Sequence, residues 1–470
     1  MAQADGRQGD PLPAPDPAVT RAALEHHVRF LASDELRGRL AGTPESARVS
    51  DYLASALQRA GLQPGGEDGG WFQSVALFKT EQLAEPTLVL HAVDGTRHEL
   101  SHGTDFSVRI VAAPGSNGTY RVQVVHAEGD VPAEDDPGLA LVMESSRARS
   151  TRWLEARGHP EGRGFGVIVR VRPDAEGRPP RRRGSGIRAA WREAQESPEM
   201  VTVNGEPARR LWEGEIERLT LALNARRVEL PERNVVGLLP GRGTSEHPEL
   251  AREVIVLSAH FDHIGVLSGR DPETDAEDVI RNGADDDASG TAVLLELAEA
   301  FAAGEPPART LVFLFCAAEE LGMLGTHWYA DHPTVELERI VCNLNLEMLG
   351  MPDPLVGGPG KLWLTGFERS SLGPRFCAEG LDVVADPRPK QRHFVRSDNI
   401  VFVRKGIVGH TLSTGGDNPN YHQVSDEADT LDFEHMHACA LSVLRAAGML
   451  ADGTLKPVWN EGEPDLGGRR

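Results

Sequence analysis

The sequence predicts an α/β protein: a mostly parallel sheet flanked by helices, with an inserted, mostly β domain. Three observations carry this reading. From Asn234 onward, apolar runs alternate with helical patterns, as strand–helix units do. Two of those runs, VIVLSA and TLVFLFC, are almost wholly apolar and partly β-branched, which fits strands covered on both faces. Between about Glu85 and Glu232 the character changes to short alternating runs separated by Pro/Gly-rich and charged loops.

At 470 residues the chain is too long for one ordinary core. Residues 1–16 read as a disordered head, 17–84 as the N-terminal part of the main domain and 85–232 as the insertion. Residues 233–455 read as the main domain proper and 456–470 as a disordered tail. A first helix is expected from about Ala18 to Leu31, with Val19, Ala22, Leu24, Val28 and Leu31 apolar. DELRGRLAGTPE then reads as polar and turn-like, with Thr43-Pro44-Glu45 suited to starting a helix. The second helix, Ala47–Ala60, puts Val49, Tyr52, Leu53, Ala56 and Leu57 on one face. A strand begins at Trp71.

In the insertion, TLVLHAV, RVQVVHA, LALVME, FGVIVRVR and RLTLAL read as strands. Helices are expected at Arg188–Gln195 and Glu206–Glu217, and Arg181–Arg183 as a solvated loop. Beyond it, strands are expected at NVVGLLPG, EVIVLSAH, TLVFLFC, ERIVCNLNLE, KLWLTG and Ile407–Leu412. Helices are expected at Asp287–Ala303, Gly322–Asp331, Asp398–Lys405 and Glu434–Ala451.

The net charge of −22 disfavours nucleic acid and anionic membrane surfaces as partners. It suits cations, either metals or a substrate's free amine, and does not choose between them. Cys316, Cys342, Cys377 and Cys439 lack pair spacing, which argues against a cysteine zinc site or a disulfide scaffold. No apolar run is long enough to span a bilayer. MAQADGRQGDPLPAPDP has no apolar signal core. The expectation is a soluble protein, either exported with its signal removed (AQA being a plausible remnant) or cytoplasmic. Oligomeric state is not legible.

The chemistry gathers at strand ends. TLVFLFC runs into Glu319-Glu320, two adjacent carboxylates that cannot both be buried unpaired. Alone the pair reads equally as a solvated strand end or an acidic first helical turn. VIVLSA ends at His260-Phe261-Asp262. The next helix is preceded by Gly283-Ala284-Asp285-Asp286-Asp287, which alone reads as a calcium-like loop or a solvated cap. IVCNLNL ends at Glu347, and the last strand leads to Asn420-Tyr421-His422. Parallel sheets bind ligands beyond the carboxyl ends of their strands, so these five positions are expected to share one crevice. Two histidines and several carboxylates suit two divalent ions, zinc above all, with one carboxylate shared between them.

The stretches SAHFDHIG, GADDDASGTA, AAEELGMLGT, NLEMLG and NYHQVSD, in this order, resemble the zinc-dependent exopeptidases of metallopeptidase family 28. The resemblance spans about Asn234 to Leu450, and FLASDELRGRLAGTPES resembles the helical stretch preceding that catalytic domain. The insertion weakly resembles a diverged protease-associated domain. The resemblance implies a zinc-peptidase fold of the phosphorylase/hydrolase-like type and a dizinc aminopeptidase acting on peptides. It implies that His260 and Glu347 hold one zinc, that Glu320 and His422 hold the other, and that Asp286 bridges both. Asp262 would orient His260, and Glu319 would be the general base and then acid. Tyr421 would donate to a developing oxyanion or simply wall the site. Many members have Asp where this chain has Glu347, which adds a methylene to that ligand. Arg396-Ser397-Asp398-Asn399 resembles the stretch lining the substrate side. The competing readings are a carboxypeptidase or dipeptidase of the same fold, which needs cationic groups for a substrate carboxylate, and a non-catalytic binding protein on a peptidase fold.

Overall fold

The computed structural model describes residues 19–109, 117–144, 147–159, 164–174, 187–189 and 199–460. The expected head, the Arg181–Arg183 loop, positions 190–195 and the tail from 461 lie outside these residues. The chain divides into two compact units, one formed by 1–75 with 231–470 and the other by 76–230.

Four parallel strands form the centre of the first unit. They are β1 (Val254–His260), β2 (Thr310–Cys316), β3 (Ile340–Glu347) and β4 (Val408–Ser413), in the spatial order β2-β1-β3-β4. Arg233–Leu239 runs antiparallel against β2, and Leu362–Leu364 runs antiparallel against β4. Every residue of β1 and β2 is buried. Their alternation feeds two cores. Ile255, Leu257, Leu311, Phe313 and Phe315 pack with four helices on one face: α1 (Arg21–Leu31), α2 (Pro44–Ala60), α3 (Gly290–Ala303) and α4 (Phe433–Ala451). Val254, Val256, Val312 and Leu314 pack on the other face with Tyr329 and Phe402, from the helices Leu324–Asp331 and Asn399–Val403. A one-residue slip would exchange the two sets, so register is tightly specified.

Local chemistry sets the helix ends. The Thr43 hydroxyl accepts from the Ser46 amide at 3.3 Å and Pro44 occupies the first turn, so α2 starts three residues before the expected Ala47. The helix expected from Asp287 becomes regular only at Gly290, because the Asp287 carboxylate accepts from the Gly290 amide. The tail expected from 456 is ordered over 456–460. There the Trp459 indole donates to Gly406 and Asn460 donates to Glu368 and Ser370.

The second unit holds an eight-stranded mixed sheet and a three-stranded antiparallel one. The compositional change near Glu85 falls inside this unit, after its first strand, Leu77–Gln82. Ile187–Ala189 pairs with that strand instead of opening the expected helix. The helix expected over Glu206–Glu217 runs Gly205–Trp212 and gives way to a strand at Ile216. Arg147–Ala156 is an additional helix. Among the described residues, no helix is long and apolar enough to cross a membrane.

Candidate active site

β1 delivers His260 at its last position, fully buried. The His260 Nε2 lies 3.3 Å from Asp286 Oδ1, and its Nδ1 lies 3.2 Å from the Asp262 main-chain oxygen. The Asp262 carboxylate is farther from that ring, at 3.7 Å. It accepts instead from the amides of Glu319 (2.9 Å) and Glu320 (3.4 Å). Asp262 therefore ties the end of β1 to the turn that leaves β2, where Ala318 takes a left-handed φ of 57°.

Backbone bonding separates the three consecutive aspartates. Asp285 accepts from the Gly350 amide and from Asn418, and Asp287 accepts from the amides of Gly290 and Met348. Both are spent on holding loops together. The Asp286 side chain faces the site, with its amide and that of Asp285 donating to Asp426. Its Oδ2 lies 3.0 Å from His422 Nε2, on the side away from His260. His422 is also 3.2 Å from Glu320 Oε1. Glu347 completes a donor set with His260 and Asp286.

Sequence reasoning passed over two residues. His263, one position past Asp262, places its Nδ1 2.8 Å from Glu320 Oε1 and joins Asp286, Glu320 and His422 in a second donor set. Arg39 lies in the stretch read as a polar turn but is fully buried. Its guanidinium donates to the carbonyls of Leu31, Phe261, Asn282 and Gly283, joining the end of α1 to the loop after β1 and to the aspartate loop. A basic residue inside a helix-breaking LRGRL was the available signal, and burial cannot be read from it.

A cavity of about 250 Å³ opens beside these groups, lined among others by Glu319, Glu347, Trp363, His393, Arg396 and Tyr421. Tyr421 stacks on His422 with ring centroids 3.8 Å apart. Burial pushes the Glu319 carboxyl well above its ordinary range, with the Glu347 charge adding to this against His260. Burial likewise raises Glu347 to about 7. Burial alone would raise Asp286 too, but His260, His422 and His263 overrule it and hold it well below the usual range.

Buried atoms without a hydrogen-bond partner include His260 Nε2, Glu320 Oε1, Glu347 Oε2 and His422 Nε2. Leaving such atoms unsatisfied costs about 1–3 kcal/mol each. They belong to two donor sets that share Asp286, so the residues fit a pair of metal ions. A third His/Glu group, His27 with Glu296 and Glu299, differs, since Tyr52 and Arg59 already partner it.

Residues 234–447 match Peptidase family M28. Aminopeptidase YwaD of Bacillus subtilis is 31% identical over 118 residues, which are 25% of this chain and 22% of that protein. A probable leucine aminopeptidase of Trichophyton verrucosum is 28% identical over 218 residues, 44% of this chain and 57% of that one. The chain thus spans about a fifth and just over half of the length of these two relatives. Among solved structures, an aminopeptidase from Aneurinibacillus sp. strain AM-1 superposes with a TM-score of 0.54 at 18% identity, covering 96% of this chain and 97% of that one. A zinc aminopeptidase from Bacillus subtilis gives a TM-score of 0.50 at 16% identity over 94% and 97%. These superpositions give the fold. The segment that matches peptidase family M28 carries His260, Asp286, Glu319, Glu320, Glu347 and His422.

Proposed function

We propose that the chain is a zinc-dependent exopeptidase, an aminopeptidase releasing N-terminal residues from peptides. The observation that carries this is the arrangement of two donor sets sharing Asp286, beside a carboxyl, Glu319, that belongs to neither. His260, Glu347 and Asp286 would hold one zinc, and Glu320, His422 and Asp286 the other. Zinc bound there supplies Lewis acidity and a water acidic enough to attack near neutral pH.

The remaining work falls to protein groups. Glu319 takes the proton of the attacking water and returns it to the leaving amine. Its raised proton affinity supports that role, because a weak carboxylate base becomes a stronger one. Asp262 fixes where Glu319 and Glu320 leave the strand, through their amides. Burial and the neighbouring carboxylates push ionisation of Tyr421 up, so its phenol stays a donor for a developing oxyanion. Glu319, Glu320 and Glu347 on the cavity wall favour a free α-ammonium over a blocked one.

A second reading has an observation of its own. Arg396 and His393 share the cavity wall, and a substrate carboxylate would suit them, as in a carboxypeptidase or dipeptidase. One panel separates the two. Aminoacyl-nitroanilides and C-terminally amidated peptides should be cleaved, and N-acetylated peptides should not. Activity should disappear on exhaustive chelation and return with Zn²⁺. Cleavage of N-acetylated peptides but not of amidated ones would reverse the preference. Activity that survived complete metal removal would overturn the dizinc reading.

A further inference from the structure

His263 is completely buried, and neither ring nitrogen has a hydrogen-bond partner. The ring is nevertheless held in one place. Gly283, at a left-handed φ of 59°, lies against it so closely that a Cβ there would meet His263 Cγ at 2.5 Å. The His263 amide donates to the Arg39 carbonyl at 3.3 Å. An oriented buried imidazole whose Nδ1 lies 2.8 Å from a carboxylate oxygen without a well-directed hydrogen bond to it calls for a further partner at that nitrogen.

The surroundings say which kind of partner. His263 Nδ1 lies 2.8 Å from Glu320 Oε1 and 3.8 Å from Asp286 Oδ2. His422 Nε2 lies 3.2 and 3.0 Å from the same two oxygens. The two rings meet edge to face, with centroids 5.5 Å apart at 74°. Four donors placed tetrahedrally about 2.0 Å from a zinc ion are about 3.3 Å from one another. The observed separations bracket that edge.

We propose that His263 is a fourth protein ligand, through Nδ1, to the ion shared by Asp286, Glu320 and His422. Its Nε2 then carries the proton. This rests on the two-metal reading above and deepens it, because it makes the two positions unequal. One has four protein donors, the closed form typical of structural zinc. The other has three, from His260, Asp286 and Glu347, the open form that keeps room for an exchangeable ligand. The closed position fills first, and exchange with water and substrate belongs to the open one.

The rival role for His263 is a hydrogen bond from Nδ1 to Glu320, which would make it a positioning residue. Proton NMR of the cobalt-substituted wild-type protein separates the two without any mutation. Each coordinated imidazole contributes one hyperfine-shifted ring N–H resonance. The proposal expects three with two Co²⁺ bound, and two of the three already at the first equivalent. Two bound ions with only two such resonances would overturn His263 ligation and leave the two-metal reading standing. Failure to bind two ions would overturn both. His263→Phe keeps a flat ring in the slot. Calorimetric zinc titration of this variant should show the tighter step weakened by more than about 100-fold, beyond the 10–100-fold that loss of an outer hydrogen-bond partner costs. An unchanged tight step would overturn the proposal.

Discussion

On one side of Asp286, His260 and Glu347 are the last residues of β1 and β3. On the other side, Glu320, His422 and His263 all sit in loops. The strand side is placed by sheet pairing, in which His260 lies opposite Cys316 and Glu347 opposite Ser413. The loop side needs left-handed backbone at two non-glycine residues, Ala318 and His422, at φ 57° and 60°. Such residues cost about 1–2 kcal/mol each, and neighbouring hydrogen bonds must offset it. Asp262 supplies two at the Glu319–Glu320 turn, and Asp426 supplies two to the aspartate loop. A strand end comes with its position fixed. A loop residue depends on carboxylates from elsewhere in the chain.

The largest expected effect comes from removing the residue the two sides share. Asp286→Asn should lose both metals, counted by elemental analysis, and all measurable turnover. Retention of one full equivalent would mean the sides do not depend on a common carboxylate. Next is Glu319→Gln, which belongs to neither side. It should keep both metals and lose about 10²–10⁴-fold in kcat, the usual worth of general acid–base catalysis. Loss of metal in this variant would place Glu319 among the ligands instead.

The smallest effect tests the strand side's frame. His410 in β4 is buried between the Ser370 hydroxyl (2.7 Å) and the Thr365 carbonyl (2.6 Å). Burial depresses it to about 4, with Arg369 adding to this against the Thr365 hydrogen bond. The folded state therefore holds it neutral while the unfolded chain protonates it near 6.5. Its contribution is full above pH 6.5 and is lost as pH falls towards 4, about 3 kcal/mol over that window. Denaturation midpoints of His410→Gln should fall less between pH 7 and pH 4 than those of the wild type. Equal slopes would show that His410 is not the titrating group.

The strands that build the site were legible because double burial leaves VIVLSA and TLVFLFC without alternation. The edge strands of the second unit were not. Arg97–Leu100 and Phe106–Arg109 are short and carry charged residues, and Arg147–Ala156 has a weak apolar face. The gathering of His260, Asp286, Glu320, Glu347 and His422 was also legible, since strand ends in a parallel sheet converge. His263 was not, because its proximity to Glu320 depends on a loop path and on the empty space at Gly283. The division of labour among Asp285, Asp286 and Asp287 was likewise hidden, because amides distant in sequence decide it.

Arg39 has a consequence for where the working module begins. The segment matching the family starts at 234, yet the loop that follows His260 and the loop that carries Asp286 hang from a guanidinium about two hundred positions earlier. Glu232 adds another tie across the same gap, accepting from the Gly42 amide and the Ser46 hydroxyl. The stretch that kinship marks out and the stretch whose hydrogen bonds hold these loops are different lengths of chain. Anyone excising the former would be left with all the proposed ligands but without the peg on which two neighbouring loops hang.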